Sequence, residues 1–316
     1  MLTGAGYIGA ALLRRLDASA GPVVALENFF SSPRACVEAA LPSGTRLVEG
    51  DVADPKAVSR AFDQLGRADD IVVYHLAAQP SAAIANKDPE LTERSNLVGA
   101  RIVLETAKER HARVAFGGSF RVYGDDFAAN QCVDERTPYG RVGDLSHLSK
   151  AYVEQLARMI GLPFASVRLG VTYGLSPIMK ATPAFMTVPN LFCQRASHGD
   201  VLNVLEDRAM AFIHVEDAAA ALLYAAAQPG EGWQVYNAAP EVATIGQVAR
   251  VVQGLMEQRG RSARIAGATT EGPGFQVCSR LELEPRHTLQ TGLGDVLDYF
   301  LKLQLKLKLA LRLAQQ

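Results

Sequence analysis

Seven residues at the start of the chain, Thr3-Gly4-Ala5-Gly6-Tyr7-Ile8-Gly9, constrain its fold more than any other stretch, because an apolar-periodic run, residues 10–16, follows at once. Gly4-x-Gly6-x-x-Gly9 opening a helix is the turn of a dinucleotide-binding βαβ unit. The first glycine permits the tight turn, the second lets backbone approach a pyrophosphate, and the third lets helix pack on strand. The pattern also occurs in ordinary tight turns, so its surroundings decide. Residues 22–27, Pro-Val-Val-Ala-Leu-Glu, read as an apolar strand closing on Glu27, 18 residues after Gly9. That is near the ~20-residue offset of an acid that binds adenosine ribose. Only Met1 and Leu2 precede Thr3, against ~5 residues in an ordinary strand. The first strand is therefore read as clipped, with an upstream start or a truncation left open.

Strand and helix patterns then alternate. Residues 46–51 make a short strand ending at Asp51, and a helix with Asp54 as N-cap and Pro55 at its first position runs to about Leu65. Residues 70–76 read as a buried strand entering Ala77-Ala78-Gln79, 88–110 as a long helix, and 113–119 as the next strand. This order predicts an α/β fold, a Rossmann-type doubly wound parallel sheet covered on both faces. Ligands of such sheets sit beyond the carboxyl ends of the strands, so the glycine loop, Glu27, Asp51, Ala77 and Ser119 should share one crevice. Further on come a helix at 146–160, a strand at 164–169, a helix at 216–227, a strand at 233–237 and a helix at 244–258. Residues 175–208, with three prolines and little periodicity, read as an inserted substrate-facing segment. The expected division is a nucleotide-binding domain at 1–174 and 209–243, a smaller substrate-binding subdomain at 175–208 and 244–300, and a cationic Leu-rich tail at 301–316.

The 316 residues, 48% hydrophobic, suffice for a large core, and a net charge of −1 gives no reason to expect nucleic acid. The four cysteines lie far apart, with no C-x-x-C pair. That argues against a disulfide framework and a zinc site, and suits a reducing, cytoplasmic setting. No stretch approaches 18 consecutive apolar residues, so no transmembrane segment is expected.

Several stretches together resemble the extended short-chain dehydrogenase/reductase family, the NAD-dependent epimerase/dehydratase group. They are TGAGYIG (3–9), ALENFFSS (25–32), EGDVAD (49–54), YHLAAQPS (74–81), SNLVGARIVLETA (95–107), GGSFRVYG (117–124), LSK (148–150), VRLGVTYG (167–174) and FIHVEDAA (212–219). The resemblance spans nearly the whole chain in the family's order. It implies an oxidoreductase, epimerase or dehydratase that holds NAD(P) and often acts on nucleotide sugars. Gly4, Gly6, Tyr7, Ile8 and Gly9 would line the pyrophosphate, with Glu27 and Asn28 at the adenosine ribose. Asp51 and Val52 would meet the adenine, and Leu76, Ala77 and Ala78 would pass beneath the cofactor. Ser119 matches the substrate-hydroxyl serine and Lys150 the lysine that holds the nicotinamide ribose; Gln79 and Arg208 are further substrate candidates. The Glu27 carboxylate disfavours a 2′-phosphate by like-charge repulsion, so NAD is expected over NADP, although Arg34 leaves NADP open.

Blander roles compete for the same residues. Ser119 can cap a strand end, Lys150 can be a surface lysine, and Asn96 reads as structural. His75 and His214 read as core histidines, and Tyr123 as packing.

Departures from the family pattern bear on chemistry. Four residues before Lys150 stands Ser146, where the family has its catalytic tyrosine, and an aliphatic hydroxyl is a far weaker acid than a phenol of pKa ~10. Proton transfer is left among Tyr139 folding back from its loop, Ser146 with a water, and an unnamed group; His147 lies ~100° round the helix from Ser146. Val171 and Met210 replace an asparagine and an arginine that usually hold sugar nucleotides, with Arg208 able to compensate for the second. In residues 301–313 leucine alternates with Lys, Gln, Ala or Arg; the period is that of a strand, but the residue types favour a helix. The favoured function is an NAD-dependent oxidoreductase or epimerase acting on a carbinol or ketone carbon of a small, carbohydrate-derived substrate. The alternative is a non-catalytic NAD-binding regulatory protein. No metal is expected, and the oligomeric state, a homodimer included, stays open.

Overall fold

Apolar runs bounded by turns become buried strands, and here they assemble in the order that the alternation predicts. The computed structural model describes residues 1–16, 21–66, 70–180, 182–228, 232–267 and 274–313. Along the chain run β1 (Leu2–Thr3), α1 (Tyr7–Leu13), β2 (Val24–Glu27), α2 (Arg34–Ala40), β3 (Arg46–Glu49), α3 (Pro55–Asp63) and β4 (Val72–His75). Helices α4 (Ala82–Lys87) and α5 (Pro89–Glu93), a π turn (Arg94–Val98) and α6 (Gly99–Glu109) lead to β5 (Arg113–Ser119). Next come β6 (Cys132–Val133), α7 (Leu145–Ile160), β7 (Phe164–Leu169), β8 (Val171–Tyr173), α8 (Val188–His198), β9 (Leu202–Asn203) and β10 (Ala209–His214). The rest is α9 (Val215–Ala227), β11 (Trp233–Ala238), β12 (Glu241–Thr244), α10 (Ile245–Gln258), β13 (Ile265–Ala266), β14 (Gln276–Val277) and α11 (Leu289–Leu313).

Seven parallel strands form the central sheet in the order β3-β2-β1-β4-β5-β7-β11. The chain reverses its direction of growth between β1 and β4, and in open α/β sheets that switch point is where a crevice opens. Every residue of β2 and β7 is buried, as strands covered on both faces require. One core lies between the sheet and α1 and α9, and a second between the sheet and α3, α6 and α7. A third, separate core joins α8, α10 and α11.

Two expectations need correction. Residues 175–208 are not irregular throughout, because α8 forms there: Pro189 falls in its first turn, where a proline costs no hydrogen bond, and Gly199 (φ 82°) ends it. The cysteines do form a disulfide, Cys132–Cys278, across 146 residues. Parallel pairing of β6 with β14 brings these Cα atoms to 5.8 Å, a proximity that spacing along the chain does not encode. With it goes the argument from unpaired cysteines for a reducing compartment. Among the described residues no helix is long and apolar enough to cross a membrane.

The tail is helical as far as Leu313, in line with its residue types. Residues 314–316, and the side chains of Lys308 and Arg312, lie outside the described ones.

Candidate active site

A cavity of about 250 Å³ opens at the switch point, walled by the glycine loop and by the carboxyl ends of β2, β4, β5 and β7. Gly4 has φ 84°, and a Cβ there would come within 2.7 Å of the Ala77 backbone nitrogen; a Cβ on Gly9 would lie 2.1 Å from the Gly4 carbonyl oxygen. Loop, helix and β4 thus meet at a distance that only glycine allows. Gly6 is different: a Cβ there would meet nothing closer than Ser32 Oγ at 3.8 Å, so what it keeps clear is the cavity. Among the described residues no side chain caps the start of α1, which leaves its first amides facing that space.

Glu27 is buried, and its carboxylate accepts from the amides of Ala5 (2.7 Å), Phe29 (2.8 Å) and Asn28 (3.0 Å). It therefore braces the glycine loop as well as lining the cavity. Arg34 is spent on Glu49 and Glu38 and lies 4.2 Å over the Phe29 ring, so it is committed to these neighbours.

Gly4, Gly6, Tyr7, Ile8, Gly9, Asn28, Val52, Leu76, Ala77, Ala78, Gln79, Ser119, Ser146 and Lys150 all line the same cavity. Three other expected residues do not. Asp51 is turned to Arg94 (3.2 Å) and the Ala53 amide (2.9 Å). Arg208 pairs with Asp125 at 2.9 Å. Tyr139, instead of folding back to the site, donates to Glu154 (2.7 Å); burial first, and then the Glu154 charge, push its phenol up to about 12. Buried charge outcompetes the cavity for this hydroxyl.

Gln79 lines the wall, but its amide is occupied by Ser81 and Thr92. Asn96, in the π turn, accepts from the Gln79 amide (2.7 Å) and donates to Ser149 (3.1 Å), which ties the loop after β4 to α7. His75 bonds to the Thr3 hydroxyl at 2.7 Å, and burial, helped by the Lys150 charge, lowers it to about 3: it is a neutral core histidine. His214 accepts from the Glu216 amide and stacks on His287 at 3.8 Å, while Asp217 binds the His287 ring. The ligand atoms of His214, Asp217 and His287 lie within 4.8 Å of one another, close enough to share a metal ion, a cluster that the sequence did not lead one to expect.

Ser119 caps a turn by accepting from the Arg121 amide at 3.3 Å. Lys150 donates to the Gly117 carbonyl (2.9 Å) over the Phe116 ring; burial pulls its ammonium down to about 8, with Glu154 partly opposing. Two further features carry no sequence signal. Lys180, sunk in the opposite wall 5.3 Å over the Tyr7 ring, is lowered to about 8 by burial. Asp144, at the N-cap of α7, binds both Ser146 and His147. Helical spacing sets His147 away from Ser146, yet the imidazole turns back so that Nδ1 lies 3.3 Å from Ser146 Oγ.

Residues 1–239 match the NAD dependent epimerase/dehydratase family. Over 95% of its length the chain is 24% identical to a UDP-N-acetyl-alpha-D-glucosaminuronate decarboxylase of Bacillus cytotoxicus, covering 97% of that protein. It is 24% identical to UDP-glucuronic acid decarboxylase 1 of Xenopus tropicalis, covering 95% of this chain and 71% of the relative. Among solved structures, the UDP-glucose 4-epimerase of Thermus thermophilus in complex with NAD superposes with TM-score 0.79 at 23% identity, covering 95% of this chain and 97% of that one. With the glycine cradle, the strand order and these matches together, the chain belongs to the NAD dependent epimerase/dehydratase family.

Proposed function

We propose that the protein is an NAD-dependent enzyme that oxidises, and in turn reduces, a carbinol carbon of a nucleotide sugar, in the manner of an epimerase, dehydratase or decarboxylase. The observation that carries this reading is the convergence of the glycine cradle, Ser119 and Lys150 on one cavity at the switch point. The space kept clear at Gly6 and the uncapped first turn of α1 fit a pyrophosphate. Gly4–Gly9 would hold that group, Glu27 and Asn28 the adenosine ribose, Val52 the adenine, and Lys150 the nicotinamide ribose. Bound NAD supplies a two-electron hydride acceptor. Ser119 orients the substrate hydroxyl, and the wall formed by Ile178, Lys180 and Phe185 holds the rest of the sugar. Relatives whose names carry UDP-sugar substrates support the substrate class.

Incubating the NAD-loaded protein with UDP-glucuronate, UDP-glucose and dTDP-glucose, with products followed by NMR, tests the reading; turnover of one of them is expected. Ser146, whose hydroxyl is given to Asp144, favours the second reading, a non-catalytic NAD-binding protein. Tight NAD binding with no turnover of any sugar is the result that would establish it.

Cofactor choice should follow Glu27. NAD is expected to bind at least ~10-fold tighter than NADP, about 1.4 kcal/mol, in titrations by calorimetry. A 2′-phosphate would approach a carboxylate whose nearest candidate cation, Arg34, is already committed to Glu49 and Glu38. Equal affinities would remove Glu27 from that role.

Lys180 offers a positive charge to the substrate side, where Val171 and Met210 give none. An ammonium in a cavity wall, with no ion-pair partner among the described residues, costs stability until an anion meets it. Lys180→Met should therefore raise the unfolding free energy of the ligand-free protein by about 1 kcal/mol, and raise KM for a UDP-sugar about 10-fold. A variant that is no more stable and keeps its KM removes the charge from the argument.

A further inference from the structure

We propose that His147, oriented by Asp144, takes and returns the proton of the substrate hydroxyl, in place of the phenol absent at position 146. The inference rests on the reading of the site as a nucleotide-sugar oxidoreductase and names the group that reading lacks.

The geometry is that of a carboxylate–imidazole pair. Asp144 Oδ2 and Oδ1 lie 2.7 and 2.9 Å from His147 Nδ1. The Asp144 side chain is 8% exposed and that of His147 18%. The carboxylate is itself fixed, since it accepts from the His147 amide at 3.1 Å and from the Ser146 hydroxyl. Burial would raise this carboxyl, but the bonds from His147 and Ser146 outweigh burial and hold it well below the usual carboxylate range. A carboxylate on Nδ1 selects the Nδ1–H tautomer and leaves the Nε2 lone pair as the basic site. His147 lines the cavity beside Ser119, Ser146 and Lys150, whereas Asp144 is behind the wall.

The chemistry follows from that order. In the oxidative direction the substrate O–H bond breaks and its proton passes to His147 Nε2. Bound NAD would supply the acceptor for the hydride released from the C–H bond, so that the C–O bond becomes C=O and the step balances. Reduction reverses both transfers. An imidazole can take and return a proton near neutrality, and a serine hydroxyl does not. Ser146 and Asp144 are positioning residues that act through the ring. Lys150, on the next turn of α7, lines the same cavity and donates to the Gly117 carbonyl. Of the charged groups on elements packed against α7, Lys87, Glu90, Glu93, Arg94, Arg101, Glu105, Lys108 and Glu109 are exposed, Arg113 pairs with Asp70, Arg121 with Asp125 and Arg168 with Glu154. Asp144 is the charge in direct contact with the imidazole.

The test uses full-length, NAD-loaded protein and the three nucleotide sugars above. His147→Gln should lower single-turnover oxidation, read as bound NADH absorbance, by at least ~100-fold, with NAD affinity unchanged and with rescue by added imidazole. In the parent, oxidation should rise with pH through the pKa of the neutralising imidazole. Asp144→Asn keeps the helix cap but removes the charge, so that limb should move to lower pH. Nitrogen-15 shifts should place the neutral ring's proton on Nδ1. If the parent turns over a sugar and His147→Gln matches it, the imidazole is a bystander and the oxidoreductase reading stands. A proton found on Nε2 also overturns the proposal. If the parent turns over none of the sugars, the oxidoreductase reading falls and takes this proposal with it.

Discussion

Glu154→Leu is expected to cost the protein about 3–5 kcal/mol of unfolding free energy, the largest stability loss of any single change argued for this chain. Glu154 is fully buried on α7, and Arg168 on β7 is 2% exposed. The carboxylate accepts from Arg168 Nη2 and from Ser166 (each 2.6 Å), and from Tyr139 (2.7 Å). Arg168 continues to Tyr123 (2.5 Å), whose hydroxyl donates to Asn237 on β11 (2.8 Å). Removing the acid alone strands a guanidinium in the core. Replacing both partners, Glu154→Leu with Arg168→Met, should recover much of the loss, because neither charge then has to be kept out of water. Tyr139→Phe removes two hydrogen bonds, to Glu154 and from the Gln155 side-chain amide, but no charge, and should cost about 1 kcal/mol. Urea unfolding of the four proteins checks this. A single variant as stable as the parent would show that Arg168 finds another partner.

The second large effect is on cofactor affinity. Gly6→Ala should lower NAD affinity by about 100-fold, or about 2.7 kcal/mol, while leaving the melting temperature near that of the parent. Its Cβ has 3.8 Å of room toward Ser32, so the fold accepts it, but it enters the space where a pyrophosphate approaches. Gly9→Ala separates the two demands. Its Cβ would overlap the Gly4 carbonyl at 2.1 Å, and no rotamer relieves a backbone clash, so both stability and binding should fall. Calorimetry and thermal melting on the two variants decide the matter. An alanine at position 6 that binds NAD like the parent would mean that the cofactor passes elsewhere.

What could be read from the residues, and what could not, divides by range. The strands of the central sheet are apolar runs closed by turn residues, a local signal, and their parallel direction follows from the helices that alternate with them. Glycines 4, 6 and 9 were legible because a steric requirement is written in the residue itself. Lys150 could be placed only by its register with Ser146 and by the resemblance. Side-chain competition was not legible. Tyr139 was free to choose between the cavity and Glu154, and a buried carboxylate 15 residues on decides that choice. His147 was read as pointing away from Ser146, since one turn of helix does not say that an imidazole folds back on the Asp144 cap. Lys180 lies in a proline-rich stretch without periodicity, and its significance comes from the Tyr7 ring beneath it.

The bond between Cys132 and Cys278 also gives the chain a topology that its fold alone does not have. Drawn as a covalent graph, the protein is a ring made of residues 132–278 carrying two open arms. One arm holds the glycine loop and strands β1 to β5, and the other holds α11; β7 and β11 belong to the ring. The seven-stranded sheet is therefore stitched together from an open arm and a closed ring, with its seam between β5 and β7. In an oxidised, unfolded chain the substrate-facing half stays confined while the cofactor-cradling arm is unconstrained. Refolding then amounts to laying a free strand set along the edge of a tethered one.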